Sequence, residues 1–182
     1  TIYNDDPSPA YAGEDVSFCT PQSTYTMQAT AAVAPSVGSW SLISGTGTIS
    51  NINNPNANIS GLGIGANTYR WTILNGPCPG EPNFDEITIF IYDENAPNAD
   101  AGADQEFCSN PAGVVVATMD ANDFIYPGSG IWTLVSGSGT IVDPTNPNTQ
   151  IISPGIGENI FEWSINNGPC SNAASTDQVS IF

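Results

Sequence analysis

Short runs of β-branched and aromatic residues recur along the whole chain, separated by clusters of Gly, Pro, Asn and Ser. In the run NTYRWTIL, Tyr69, Trp71 and Ile73 alternate with polar residues, a period of two that predicts a strand with one buried face. No helical period is sustained. About seven such runs in roughly 90 residues predict an antiparallel β-sandwich of the immunoglobulin type.

The same pattern occurs twice. GEDVSFC, GSWSLISGTGTIS, NTYRWTILNGPC and DEITIF between 13 and 90 are matched by GADQEFC, GIWTLVSGSGTIV, NIFEWSINNGPC and DQVSIF between 102 and 182. Self-similarity at a fixed period indicates tandem modules. We therefore predict an all-β chain of two tandem immunoglobulin-like antiparallel β-sandwich domains with one disulfide each.

The repeat also sets the predicted boundaries. The first repeat covers 1–92, with a linker-like segment over 1–12; an acidic linker covers 93–104 and the second repeat covers 105–182. The opening segment TIYNDD resembles IYDEN, which follows the last run of the first repeat. Two interpretations follow: an excerpt of a longer array, or a subunit that polymerises by donating its N-terminal strand to a neighbour.

Two tryptophans recur in each repeat, and the alternation places them on inward faces. We predict that they form the centre of each core, since a sugar-stacking platform is the rarer use of tryptophan at such positions. The four residues are Trp40, Trp71, Trp132 and Trp163. The glycine pairs at 45–47 and 137–139 have strands on both sides, which favours tight turns over phosphate-binding loops.

Each repeat also carries two cysteines at matched positions. If each module is self-sufficient, Cys19 pairs with Cys78 and Cys108 pairs with Cys170. Each bridge would close a loop of about 60 residues and stabilise its module by roughly 4 kcal/mol. Disulfides indicate an oxidising, extracellular compartment. A zinc site is disfavoured because the chain has no CxxC pair and no His.

The charge balance is strongly acidic. The sequence contains eighteen Asp and Glu residues and one basic residue, Arg70, for a net charge of −17. Phosphate backbones and anionic lipid surfaces are bound chiefly through Lys and Arg, so we expect no nucleic-acid partner and no membrane insertion. Solubility and repulsion between copies explain such an excess without a ligand. The sharper interpretation is that some carboxylates bind calcium, which prefers oxygen ligands.

The acidic linker is the place where calcium is predicted. Its candidate ligands are Asp93, Glu94, Asp100 and Asp104. A cation there would stiffen the joint between modules, whereas the alternative is an extended linker whose charges keep its neighbours apart. A melting temperature unchanged between EDTA and millimolar calcium would contradict the cation. No other cofactor is predicted.

The chain contains few of the residue types that catalysis requires. The absence of His and Lys excludes Ser-His-Asp, Cys-His and Ser-Lys constellations. Paired carboxylates of the glycosidase kind would be needed at neighbouring strand ends, but the acid-rich positions lie in linkers and turns. We therefore predict that the protein is not an enzyme.

The spaced landmarks of both copies resemble the immunoglobulin-like or PKD-like repeats of very large secreted surface proteins of Bacteroidetes, including gliding-motility-associated adhesins. The resemblance implies secretion to the cell surface and service as a stalk or filament, with adjacent copies of the repeat, head to tail, as partners. An accessory module that binds a surface glycan or protein is the alternative, but the candidate aromatics for it do not recur at matched positions. They are Tyr11, Tyr25, Phe84 and Tyr126.

Overall fold

The computed structural model describes residues 9–75, 82–108 and 115–182. The chain forms two compact units, Thr1–Tyr92 and Asp93–Phe182. Over the described ranges the regular structure consists of strands, and no helix there could span a membrane.

Seven strands belong to the first unit and six to the second. They are β1 (Val16–Cys19), β2 (Thr24–Thr26), β3 (Val37–Ser44), β4 (Thr48–Ile49), β5 (Asn58–Ser60), β6 (Gly65–Leu74), β7 (Asn83–Tyr92), β8 (Val116–Thr118), β9 (Ser129–Ser136), β10 (Thr140–Ile141), β11 (Gln150–Ile152), β12 (Asn159–Asn166) and β13 (Ala174–Ile181).

Each unit is built from two sheets. The first unit has a sheet in the order β1-β7-β6-β3 and a smaller one in the order β2-β5-β4; the second unit has β13-β12-β9 and β10-β11-β8. The predicted all-β fold of tandem immunoglobulin-like sandwiches is confirmed. One feature differs from a purely antiparallel pattern, because β1 pairs with β7 in the parallel direction.

The inward faces of the long strands make the core of each unit. Trp40 and Trp71 are cross-strand partners with ring centroids 5.1 Å apart, and Trp132 and Trp163 repeat this pair at 5.3 Å. All four rings are buried. The alternation seen in the sequence follows from this arrangement, since only every second residue of a strand faces the opposing sheet.

Residues 93–104, expected to be a linker, are packed within the second unit. Ala101 is buried in its core cluster. Asn167 Nδ2 donates to the Asp93 carbonyl at 2.8 Å, and Ala99 N donates to Ser175 Oγ at 2.8 Å. The segment is therefore tied to the strands β12 and β13 that follow it in the chain.

Tyr69 makes the first unit sensitive to alkali. Its ring is fully buried, its Oη donates to the Thr46 carbonyl at 2.7 Å, and burial raises its pKa to about 12. An unfolded tyrosine titrates near pH 10. The folded state keeps the phenol neutral, so this contribution to stability is complete below about pH 10 and is lost as the pH rises towards 12.

We therefore expect Tyr69→Phe to remove a step in the free energy of unfolding between about pH 10 and 12, measured by urea titration. At neutral pH it should cost about 1 kcal/mol, the worth of one hydrogen bond. Phe161 occupies the matched position of the second repeat, which shows that the fold accepts phenylalanine there. Tyr126→Phe, which changes an exposed residue, is the control. An unchanged pH dependence in Tyr69→Phe would contradict the assignment.

Candidate functional site

The segment that enters the first unit is fastened to its last strand by aspartates. Ala12 N donates to Asp85 Oδ2 at 2.8 Å, and Thr88 N donates to Asp15 Oδ1 at 2.7 Å. The first bond reaches from the entering segment to β7, and the second reaches back from β7. We call these two carboxylates, with their matched pair in the second unit, the entry clamp.

The second unit has the same clamp at matched positions. Ala101 N donates to Asp177 Oδ2 at 2.8 Å, and Ser180 N donates to Asp104 Oδ1 at 2.8 Å. Backbone amides bound to a carboxylate are charge-assisted and stronger than neutral pairs. Four acidic side chains thus serve structure, and their recurrence in both repeats is the sequence signal that identifies them.

Parallel pairing continues from the clamp towards the far end of each unit. In the first unit β1 lies beside β7 from Val16, opposite Ile89, to Cys19, opposite Tyr92. In the second unit Gln105 N donates to the Ser180 carbonyl at 2.9 Å, and Phe107 N donates to the Phe182 carbonyl at 2.8 Å. The chain therefore enters at one end of each sandwich and leaves at the other.

This geometry determines how a unit responds to tension. The free ends of two parallel strands point in opposite directions, so a pull on the chain slides β1 along β7. The hydrogen bonds between parallel strands are evenly spaced along the pair, so sliding loads them together. In a hairpin pulled open from its ends, the bonds break one at a time. The arrangement suits a unit that holds tension.

The predicted calcium ligands are used as hydrogen-bond acceptors. Asp93 Oδ1 accepts from Asn95 N at 2.9 Å, and Asp100 Oδ1 accepts from Gly102 N at 3.0 Å. Glu94 accepts from Ser171, and Asp104 belongs to the entry clamp. Within the described parts of the chain, Asp93, Asp100 and Asp104 belong to no group of three ligands close enough to share one ion. Calcium binding at 93–104 stays a prediction.

The cysteine pairing predicted for the second repeat is wrong. Cys19 and Cys170 are the disulfide-bonded cysteines of the described residues, whereas Cys108 is a free, exposed thiol. Cys108 follows the residue that pairs with Phe182, beyond the end of β13, while Cys170 lies in the turn before β13 begins. Cys78, the predicted partner of Cys19, lies outside the described residues.

The length of β13 explains why Cys108 and Cys170 do not pair with each other. Its eight residues span about 23 Å at 3.3 Å per residue, and the two cysteines lie beyond its opposite ends. A disulfide needs Cα atoms within about 7 Å. The sequence placed both cysteines in one module, but the parallel entry segment carries Cys108 to the far end.

Two of the aromatics considered for ligand binding, Tyr11 and Phe84, make side-chain contacts within the protein. Tyr11 Oη donates to Glu14 Oε1 at 2.8 Å, and the Arg70 guanidinium lies 4.2 Å from the centre of the Phe84 ring. Arg70 also pairs with Glu86 at 2.6 Å. Neither Tyr11 nor Phe84 has an aromatic residue at the matched position of the second repeat, so these residues do not favour a repeated glycan site.

No protein-family model and no curated protein matches the sequence. Among solved structures, the PKD domain from the KIAA 1837 protein is 18% identical with a TM-score of 0.41, covering 50% of this chain and 93% of that one. Sidekick-1 immunoglobulin domains 1–4 are 13% identical with a TM-score of 0.45, covering 96% of this chain and 48% of that one.

The human Desmocollin-1 ectodomain is 12% identical with a TM-score of 0.39, covering 98% of this chain and 42% of that one. This chain therefore spans less than half the length of the Sidekick-1 and Desmocollin-1 chains. At these identities the likeness concerns the fold alone.

Proposed function

We propose that this chain is a structural repeat module of an extracellular stalk, adhesin or filament on a bacterial surface, and that it carries no catalytic activity. The observation that supports it best is the entry clamp with its parallel strand pairing, present in both units at matched positions. A module whose function is length and stiffness needs its two ends at opposite poles and strands that resist sliding.

Composition and cysteine chemistry agree with this proposal. Disulfide-bonded cysteines persist in oxidising compartments outside the cytosol. The sequence contains no His and no Lys, which leaves the common nucleophile and base pairs without their members. The net charge of −17 keeps copies from aggregating non-specifically while their ends meet. The bacterial surface is proposed from the resemblance of the repeat pattern.

Pulling single chains from their two ends by atomic-force microscopy tests the proposal. Reductant is added so that only the fold resists. We expect two unfolding events, each lengthening the chain by roughly 30 nm for about 90 residues at up to 3.6 Å each. Extension without resistance would contradict a mechanical function.

A substitution in the entry clamp can be tested in the same pulling experiment. Asp177→Ala removes the acceptor of Ala101 N and should lower the rupture force of one of the two events, leaving the other unchanged. Asp123→Ala, which removes an exposed carboxylate of the same unit, is the matched control. Equal forces for the two variants would show that the clamp does not resist tension.

A further inference from the structure

The first unit has a largely apolar pocket beside the Trp71 ring. Its volume is about 230 Å³. Small and apolar residues make up most of its lining, together with the edge of the indole ring: Ala31, Ala32, Val37, Gly38, Pro55 and Trp71. An apolar cavity of about 150 Å³ is large enough to bind benzene. The pocket therefore has room for one aromatic ring.

The second repeat has a phenylalanine where the first repeat has an alanine of this pocket. In the loop before β3, Ser36 N donates to the Val33 carbonyl at 3.0 Å. The loop before β9 contains the same bond, from Gly128 N to the carbonyl three residues earlier, at 2.8 Å. These bonds align the two loops without a gap, so Ala32 matches Phe124.

Phe124 shows what fits this place. Its side chain is partly buried and packs against the core of the second unit. A Cβ on Gly130 would lie 2.9 Å from Phe124 Cδ1 and 2.3 Å from Trp163 Cζ2, so both rings lie close over that glycine. The matched residues of the first unit, Gly38 and Trp71, both line the pocket. The pocket is thus the place that a phenyl ring fills in the second unit.

The polar side chains at the pocket already have partners. Asn53 Nδ2 donates to the Gly38 carbonyl at 3.0 Å, and Ser36 Oγ donates to Asn75 Oδ1 at 3.3 Å. Covering a polar group is costly when it loses its hydrogen bonds. Because these donors stay paired within the unit, an aromatic ring can enter the pocket without that cost.

The two units also differ at the rim of this place. Val37 and Leu74 are cross-strand partners on β3 and β6, and both are exposed. Their matched residues on β9 and β12, Ser129 and Asn166, are polar. Exposed apolar residues beside a pocket are typical of a surface that contacts another protein. The first unit therefore combines an open ring site with an apolar rim, whereas the second has a filled site with a polar rim.

The charge of the chain restricts the partner. With a net charge of −17, the chain repels acidic segments and attracts basic ones. We propose that the pocket over Gly38 and Trp71 binds a phenylalanine side chain carried by a basic segment of another protein. This site goes beyond the mechanical function, since it gives the first unit a partner that the second unit does not bind.

The test is titration of the isotope-labelled 182-residue chain with a blocked tripeptide, phenylalanine between two lysines, followed by NMR. We expect saturable shifts of an indole N–H signal, with a dissociation constant in the millimolar range typical of a single anchoring ring. The same peptide with alanine at its centre should cause no saturable shift. Equal affinity for the alanine peptide overturns the proposal. Replacing the lysines by glutamates should weaken binding at low salt, and unchanged affinity would contradict a basic partner.

A variant that fills the pocket gives the sharpest comparison. Ala32→Phe supplies the ring that the second unit already has and should abolish binding of the lysine peptide. Val33→Phe adds the same ring at an exposed neighbour that does not line the pocket and should leave the affinity unchanged. Equal affinities of the two variants would overturn the proposal.

The reverse change tests the same equivalence in the second unit. Phe124→Ala should open the matched place and add a second site, weaker than the first because its rim is polar. A folded Phe124→Ala chain with a single site would contradict the inference. Shifts of the same signals when the chain is concentrated without peptide would show that a second copy is the occupant, which also overturns it. The pulling result does not depend on any of these outcomes.

Discussion

Replacing Asn159 by alanine should destabilise the second unit by about 4 kcal/mol, because several buried backbone groups lose their partner. This side chain is almost fully buried and binds three chain segments at once. Its Oδ1 accepts from Ser138 N at 2.9 Å and from Gly155 N at 3.1 Å. Its Nδ2 donates to the carbonyls of Gly155 and Gly157, both at 2.9 Å, and of Ile181 at 3.1 Å.

The size of the effect follows from what is left behind. The alanine side chain makes none of these hydrogen bonds. Each buried backbone group left without a partner lowers the free energy of unfolding by about 1–3 kcal/mol. Groups near the surface regain water, so we expect less than the full sum. Unfolding in urea, followed by tryptophan fluorescence, measures the loss.

Two other asparagine variants serve as comparisons for this measurement. Asn67 makes four of the five matching bonds in the first unit, to Thr46 N, the Gly63 and Gly65 carbonyls and the Ile89 carbonyl at 3.2 Å, so Asn67→Ala should cost a similar amount. Asn58 is exposed and makes one side-chain bond, to Thr26 at 2.7 Å, so Asn58→Ala should cost under about 1 kcal/mol. A loss below 1 kcal/mol in Asn159→Ala would mean that water replaces the amide.

The strands and the tryptophan pairs were predictable, because a period of two reports directly which residues face a core. Trp71 and Trp163 stand at inward positions in both repeats, and both rings are buried. The turns at 45–47 and 137–139 were also predictable. Gly45 and Gly47 have φ of 86° and 132°, values that favour glycine.

The buried asparagines were not predictable from one sequence. Asn67 lies near the start of β6 and Asn159 begins β12, so both look like ordinary turn residues. Their partners are backbone groups of adjacent turns and of a neighbouring strand, which carry no side-chain signature. Their recurrence at matched positions is the signal, but surface residues recur as well. Burial, which only the structure supplies, separates the two cases.

The cysteine pairing failed for a different reason. Alternation shows which face of a strand is buried but not the direction in which two strands pair. An antiparallel entry strand would have brought Cys108 towards the start of β13; the parallel one carries it past Phe182. The clamp residues Asp15 and Asp177 were missed for the same reason, since their role depends on that pairing.

Gly130→Ala should destabilise the second unit by about 3 kcal/mol, at the upper end of the cost of overpacking a core. A Cβ at this position would lie 2.3 Å from Cζ2 of Trp163 and 2.9 Å from Cδ1 of Phe124. Trp163 is fully buried and packs on Trp132, so the ring has no room to move aside. The melting temperature of a unit this size should fall by about 12 °C or more.

The first repeat offers the same test, since a Cβ at Gly38 would lie 2.1 Å from Cζ2 of Trp71. In both repeats the glycine stands two residues before a tryptophan and opposite an isoleucine of the next strand. Ser129→Ala alters the exposed neighbour of Gly130 on β9 and should change stability by less than about 0.5 kcal/mol.

A double variant separates the clash from the general effect of adding a methyl group to a strand. Trp163→Phe removes the part of the ring that the new Cβ would meet, and Trp163 Nε1 makes no hydrogen bond among the described residues, so none is lost there. Gly130→Ala should therefore cost at least about 1 kcal/mol less in the Trp163→Phe background, a coupling that a double-mutant cycle resolves. Equal costs in both backgrounds would show that the ring does not require the glycine. The φ of Gly130 lies outside the left-handed region, so the backbone conformation does not itself require glycine. A reduced cost would therefore show that the close approach of the Trp163 ring is what requires glycine at this position.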